Sequence, residues 1–464
     1  MAALAGTMSE GLFSRRLRAT TAGLVLVITL SAFEAMAVAT AMPTAVRELH
    51  GLAYYSWPFT AFLVASVVGT VASGEFSDRR GPRGPMLVGL AVFAVGLVVA
   101  GTAVSMAVFV VGRVVQGLGA GTVIVGVYVL IAEVYPDALR PRVFALTSAA
   151  WVLPSLLGPL VAGLLTAHLT WRLVFGGLAP FVALGLALLW PTLRRLPARL
   201  PVQREVAPRR TLVPFAVLAA VGLAAVQFAG QHLRPASLLP LAVGVALLVP
   251  ALRRLLPAGT VRARRGLPAA LAFRGILAGS FFGVDSFVPL TLTDLHHYSP
   301  AAAGVPLTLG ALGWSAGSWW QGRSAAARHR LVAVGCALIT LGAASLVCVA
   351  FARVPGLLAA PLWAVAGTGM GLAMPTVSVL LLELSDRDER GQNSAALQIC
   401  DMLCSAVCVG LGGVLLAAVT AGRGATGPAI ALIDLTMAAI AALGVIAAGR
   451  LRAGPVPPGG GGAG

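Results

Sequence analysis

Apolar runs of about 20 residues recur along this 464-residue chain, separated by short polar stretches. Each run is long enough to cross ~30 Å of hydrocarbon as a helix. No stretch has the regular alternation of a membrane-barrel strand. The pattern therefore predicts an all-α polytopic membrane protein. Fourteen spans are expected, starting near Thr20, Ala53, Met86, Val108, Val143, Leu173, Leu212, Ala236, Leu267, Ala301, Leu331, Leu357, Asn393 and Gly427. The run from Thr20 to Pro43 is too long for a signal-peptide core, and no clear small-residue cleavage site follows it. It reads as an uncleaved first span. The glycine- and proline-rich tail GPVPPGGGGAG reads as disordered.

An even number of spans puts both termini on one side, and loop charge selects the side. One set of loops carries Arg79, Arg80 and Arg83, Arg140 and Arg142, the clusters from Arg194 to Arg210 and from Arg253 to Arg265, Arg323, Arg328 and Arg330, and Arg387 and Arg390. The opposite loops hold about one arginine each: Arg47, Arg172, Arg234, Arg353 and Arg423. The positive-inside rule makes the rich face, with both termini, cytoplasmic. His50, His168, His232, His296 and His297 fall on the other face, as ordinary loop histidines.

Composition supports this reading. The chain is 58% hydrophobic and only 11% charged, with a mean hydropathy of +0.92. The net charge of +17, all 33 basic residues being arginine, raises the question of a nucleic-acid partner. Its placement in short clusters between apolar runs marks topology instead, so no nucleic acid is expected. Cys400, Cys404 and Cys408 share one helix face by their spacing of four and read as packing residues, with no metal site and no disulfide framework.

A shift of 250 residues aligns two stretches. Gly117, Gly119 and Gly121 map onto Gly367, Gly369 and Gly371, Glu133 onto Glu383, Arg140 onto Arg390 and Gly163 onto Gly413. Two parallel six-span bundles produce such a repeat. The expected organisation is a cytoplasmic N-terminus (1–19), an N-terminal bundle (20–195), a linker with two extra spans (196–266), a C-terminal bundle (267–450) and the tail (451–464).

A charge inside a span costs at least ~2.5–3.5 kcal/mol near the bilayer centre, so each is a functional candidate. Glu34, Arg113, Asp285, Asp401 and Asp434 fall there. Glu34 and Arg113 lie in one half, where an acid and a guanidinium facing one cavity stabilise each other and protonation of the acid undoes the pair. A permanent structural ion pair is the alternative. Asp285 stands 251 residues after Glu34, and Asp401 corresponds to Trp151 by the 250 shift. Arg274 reads as snorkelling at the end of span 9. Trp151, Phe281, Phe282, Trp314, Trp319 and Trp320 lie in spans, and Trp151, Phe281, Phe282, Trp314 and Asp434 are the candidates for lining a substrate cavity.

These residues resemble the major facilitator superfamily, in particular its drug:proton antiporters with fourteen spans. Gly74, Asp78, Arg79, Gly81 and Arg83 match the signature loop after span 2, with Pro82 in place of a usual basic residue. Arg113, Gln116, Gly117 and Gly119 match the span 4 motif. Gly158, Pro159 and Gly163 match the span 5 antiporter motif, although Pro154 and Ala162 replace its usual glycines. Pro43 matches the span 1 motif, with Glu34 where an Asp is usual.

The resemblance implies that Glu34 with Arg113, and Asp285 or Asp401, serve proton coupling. It implies that Asp78, near Arg79, Arg83 or a helix N-terminus of the other half, belongs to a conformational latch. The expected function is a proton-coupled exporter of hydrophobic or amphiphilic small molecules such as drugs, working by alternating access. A lipid or endogenous natural product is the alternative cargo; a metabolite importer and a non-transporting sensor rank lower. The chain is not expected to be an enzyme and needs no cofactor or metal. Its partners are a small-molecule substrate, protons and the lipid bilayer; it reads as a multi-pass monomer of a bacterial plasma membrane. Reporter fusions at Leu451 and at the N-terminus should both report the cytoplasm, and a fusion after Arg234 the opposite side.

Overall fold

A computed structural model describes residues 11–81, 83–196, 211–232, 234–351, 354–386, 389–423 and 426–451, with the side chains of 78–80 and 421–423 outside that set. Within hydrocarbon every backbone N–H and C=O must find its partner inside its own segment, and the apolar runs accordingly form helices. They are α1 Arg18–Glu48, α2 Trp57–Arg80, α3 Arg83–Gly101 and α4 Met106–Val134. Next come α5 Arg140–His168, bent near Trp151, α6 Arg172–Leu193, α7 Val213–Gln231 and α8 Leu238–Leu255. The second half holds α9 Leu267–Leu295, α10 Val305–Gln321, α11 Arg328–Leu346, α12 Ala359–Glu383, α13 Arg390–Arg423 and α14 Thr426–Ala447.

Thirteen of these segments are long and apolar enough to cross a membrane. The expected span near Ala301 is the exception. It forms as a short turn, Pro300–Ala303, capped by Ser299, and the 17-residue α10, with Gly304 between them. Among the described residues there is no strand.

Lipid tails are as apolar as leucine, so helices associate in a bilayer through close backbone packing rather than hydrophobic exclusion. The glycines of α4 supply it. Gly117 and Gly121 face the carbonyl oxygens of Phe62 and Ser66 on α2, while Gly119 faces the backbone of Phe93 on α3. The second half repeats the arrangement. Gly367 and Gly371 face Gly310 and Trp314 on α10, and Gly369 faces Gly335 on α11. At each of the six positions a Cβ would run into a neighbouring backbone. The 250-residue repeat is therefore a repeat of packing, with α4 and α12 as the central helix of each half.

Around these, α1 packs on α5 and α6, and α9 packs on α12, α13 and α14. The two bundles meet along α2 against α13 and α5 against α10. These contacts are repeat counterparts of each other, as a pseudo-two-fold arrangement requires. The described side-chain links between bundles lie toward the arginine-poor end. Tyr55 donates to the Ser286 carbonyl at 2.8 Å and its ring lies tilted against Phe287 at 5.3 Å, and Arg47 approaches Asp294 at 3.7 Å. At the same end Gly163 faces Ala301 and Gly304 faces the Pro159 carbonyl.

The extra helices join through α7, which packs on α2 and α13, while α8 packs on α7. Glu75 of α2 fixes the start of α7. It accepts from Thr211 Oγ1 at 2.6 Å and from the Leu212 and Val213 amides at 2.5 and 3.3 Å. A carboxylate there satisfies otherwise unpaired N–H groups at the positive end of the helix. At its other end Gln231 Oε1 accepts from Trp57 Nε1 at 2.6 Å, and Gln227 Nε2 donates to Ser56 Oγ at 2.8 Å.

Gly121→Leu and Gly371→Leu should each cost more than about 1–3 kcal/mol, because backbones rather than side chains must move apart. Thermal unfolding in detergent and the folded yield report this. Gly74, which has open space where a Cβ would stand, should accept alanine without a change in either.

Candidate functional site

The first half buries one ion pair at membrane depth. Arg113 of α4 and Glu34 of α1 are almost fully buried, and Arg113 Nη1 donates to Glu34 Oε1. Arg113 has further partners. Nη1 donates to Gln116 Oε1 at 2.7 Å, Nε donates to the Pro58 carbonyl at 3.1 Å, and the guanidinium lies 4.3 Å from the centre of the Phe62 ring. Pro58 lies in the first turn of α2, and its carbonyl oxygen has a second lone pair to offer the guanidinium. Only one of these partners, Glu34, can be neutralised by a proton. The other three are neutral acceptors or a ring face and can hold the cation when Glu34 is uncharged. Gln116 Nε2 is buried without a partner, so the amide is committed to its acceptor side.

The second half places a different donor at the equivalent site. Trp363 of α12 stands 250 residues after Arg113, and its Nε1 donates to Asp285 Oδ1 at 2.8 Å. Glu34 and Asp285 thus each accept from the central helix of their own half, but Asp285 receives a neutral indole where Glu34 receives a cation. Around Asp285 the aromatic rings gather. Phe281 stacks on Trp363 at 4.7 Å, Trp314 meets Phe281 edge-on at 5.7 Å, and Phe282 lies 5.4 Å from Phe281. Gly310 opens the space that the Trp363 indole occupies. The sequence reading missed Trp363, although the same 250-residue shift carries Arg113 onto it.

The other candidates separate. Asp401 Oδ2 on α13 accepts from Arg274 Nε and Nη2 of α9 at 3.0 and 2.7 Å, and Arg274 Nη1 donates to Ser378 Oγ of α12 at 3.2 Å. Arg274 therefore does not snorkel; it ties three helices together because a carboxylate lies within reach at the same depth. Asp434 is buried on α14 and lines a water-sized cavity with Thr291, Leu346 and Val349, away from the aromatic cluster. Trp151 is 41% exposed at the bend of α5, and Trp319 and Trp320 are exposed, with Arg323 over the Trp319 ring at 4.1 Å.

Gly158 faces Met36 of α1, and Pro159 and Gly163 face the start of the second bundle's α10 segment. The span 5 motif thus lies at the contact between bundles. Gly81 ends α2 at φ +76°, a conformation that favours glycine. The side chains of Asp78 and Arg79 lie outside the described residues, as does Pro82; Arg83 opens α3 half-buried. Cys400, Cys404 and Cys408 sit in notches left by Gly275 and Gly279 on α9.

A sequence model of the Major Facilitator Superfamily matches residues 24–409. The chain belongs to this superfamily. Within it, the chain is 30% identical over 439 residues, 88% of each protein, to a probable multidrug-efflux transporter of Mycobacterium tuberculosis. It is also 32% identical to multidrug resistance protein 3 of Bacillus subtilis over 164 residues, 35% of this chain and 32% of that one. Solved superfamily structures share the fold. An autoinhibited peptide transporter of the POT family aligns with a TM-score of 0.69 at 17% identity, over 94% of this chain and 98% of its own. A D-xylose–proton symporter aligns at 0.61 and 16%, over 92% and 97%. The protein is a multi-pass membrane transporter.

Removing one partner of a mostly buried ion pair strands the other. Asp401→Asn should destabilise the protein by about 3 kcal/mol. Pairing it with Arg274→Met should recover part of that loss, read as a positive coupling in a double-mutant cycle of thermal unfolding.

Proposed function

We propose that this transporter is a proton-coupled exporter of hydrophobic, cationic amphiphiles. The observation that carries the reading is the unequal pair of acids: Glu34 with a fixed cationic partner, Asp285 with a neutral one. The kinship with multidrug-efflux transporters supports it.

The chemistry follows from the donors. An ionised Glu34 holds Arg113 as an ion pair in a low-dielectric site. A proton on Glu34 removes that attraction and leaves Arg113 with Gln116, the Pro58 carbonyl and Phe62. Since Pro58 and Phe62 belong to α2, the change is felt where the bundles meet. Among the described residues Asp285 has no fixed counter-cation, so a proton or a cationic group of the substrate fills that role, one excluding the other. The rings of Phe281, Phe282, Trp314 and Trp363 suit an apolar body with a positive charge. Competition between proton and substrate for one carboxylate is what exchange requires.

With the arginine-rich face cytoplasmic, the bundle contacts at Tyr55–Ser286 and Gly163–Ala301 lie at the outer end, where an inward-facing conformer is closed. Parting those contacts while the opposite ends of the bundles close carries substrate out as a proton returns.

In proteoliposomes with an imposed pH gradient, Glu34→Gln should lower proton-driven efflux by about a hundredfold, the equivalent of ~3 kcal/mol for a lost buried pair. Substrate–substrate exchange should survive. Asp285→Asn should lose binding of cationic substrates while keeping neutral ones. Full gradient-driven efflux by Glu34→Gln would sink the coupling assignment.

A further inference from the structure

A second cavity lies outside both acid sites, between the N-terminal bundle and the extra helices. Its volume is about 250 Å³. Ala61 and Ala65 of α2, Ala220 and Ala224 of α7, and Val114 and Leu118 of α4 line it. Alanines four residues apart on two facing helices leave a slot that larger side chains would fill. The lining on α2 runs from Trp57 to Val68, about 16 Å at 1.5 Å per residue. Val114 and Val221 on its rim are exposed, so the slot opens sideways between α4 and α7 at membrane depth.

The lining has no charge, and the donors at its edge are engaged. Trp57 Nε1 donates to Gln231, Gln227 Nε2 to Ser56, and Thr60 Oγ1 to the Ser56 carbonyl. The slot therefore offers hydrocarbon surface without the carboxylate that a cationic substrate needs. At its arginine-poor end stand Tyr54, Trp57 and His232, with Tyr54 6.4 Å from Trp57 and 6.5 Å from His232, and the exposed Arg234 follows two residues later. Aromatic side chains gather at the level of lipid headgroups, and an arginine there suits a phosphate.

We infer that this slot holds one acyl chain of a membrane phospholipid, from the leaflet at the arginine-poor face, with its headgroup beside Arg234. The lipid fills the gap between α2 and α7 and braces the face of α2 that adjoins the one holding Arg113 through Pro58 and Phe62. It is a structural ligand of the extra helices, distinct from the transported cargo.

The test uses the full-length protein in nanodiscs of phosphatidylglycerol and phosphatidylethanolamine containing a phospholipid with a diazirine in its acyl chain. After photolysis, peptide mass spectrometry of the wild type should find adducts on residues 57–68 and 220–227. Ala61→Phe and Ala224→Phe, by removing the room for a chain, should each lower that labelling about tenfold. Labelling on the exposed face of α3, around Val88 and Val95, should not change in the same samples. Wild-type adducts absent from both segments overturn the proposal, as does undiminished labelling in both variants. Displacement of the adducts by a lipophilic cation such as tetraphenylphosphonium also overturns it, in favour of a cargo site. The wild-type map decides the matter even where a variant fails to fold.

Discussion

The structure depends on how closely α4 and α12 approach their neighbours. In hydrocarbon, burying leucine against leucine gains little over leucine against lipid, so tight contact of backbones takes over that role. Gly117, Gly119 and Gly121 let α4 lie against α2 and α3 at backbone distance, and Gly367, Gly369 and Gly371 do the same for α12. One turn before each glycine set stands the donor to the buried acid, Arg113 in one half and Trp363 in the other. Their reach to Glu34 and Asp285 is set by that packing. A side chain added at the glycines would move the donors before it touched them.

Two halves with one packing scheme carry two different chemistries. The carboxylate of α1 meets a guanidinium, and the carboxylate of α9 meets an indole. Substituting a neutral donor for a cation at the equivalent position leaves one acid electrostatically complete and the other open to an external positive charge. The symmetric scaffold supplies two buried acids at repeat-related places; the asymmetric donors give them different partners. Arg274 and Asp401 form a third buried set that ties α9, α12 and α13 together.

The extra helices add to one side of this scaffold only. Glu75, Ser56 and Trp57 fasten α7 to α2 at both ends, whereas α7 meets α13 through apolar contacts such as Gly230 on Val414. Polar links resist sliding and apolar ones permit it. The pair α7–α8 is thus held to the first bundle by polar links at both ends of α7 and rests on the second through α13.

Much of this was legible from residue order. Each helix begins within four residues of the expected start, because hydropathy and the need to satisfy the backbone act locally along the chain. The glycine repeat announced two related halves for the same reason, since spacing within a helix is a local property. Glu34 and Arg113 stood out because a charge in hydrocarbon is costly wherever it occurs. What spacing does not carry is which costly group meets which. Arg274 was expected at the membrane surface and instead meets Asp401, 127 residues away, while Asp434 lies in a small cavity apart from the rings it was grouped with. Trp363 looked like one more apolar residue until the fold set its indole N–H on Asp285. Pairings of this kind are decided by how distant helices cross, and that crossing is a property of the packed bundle rather than of any one span.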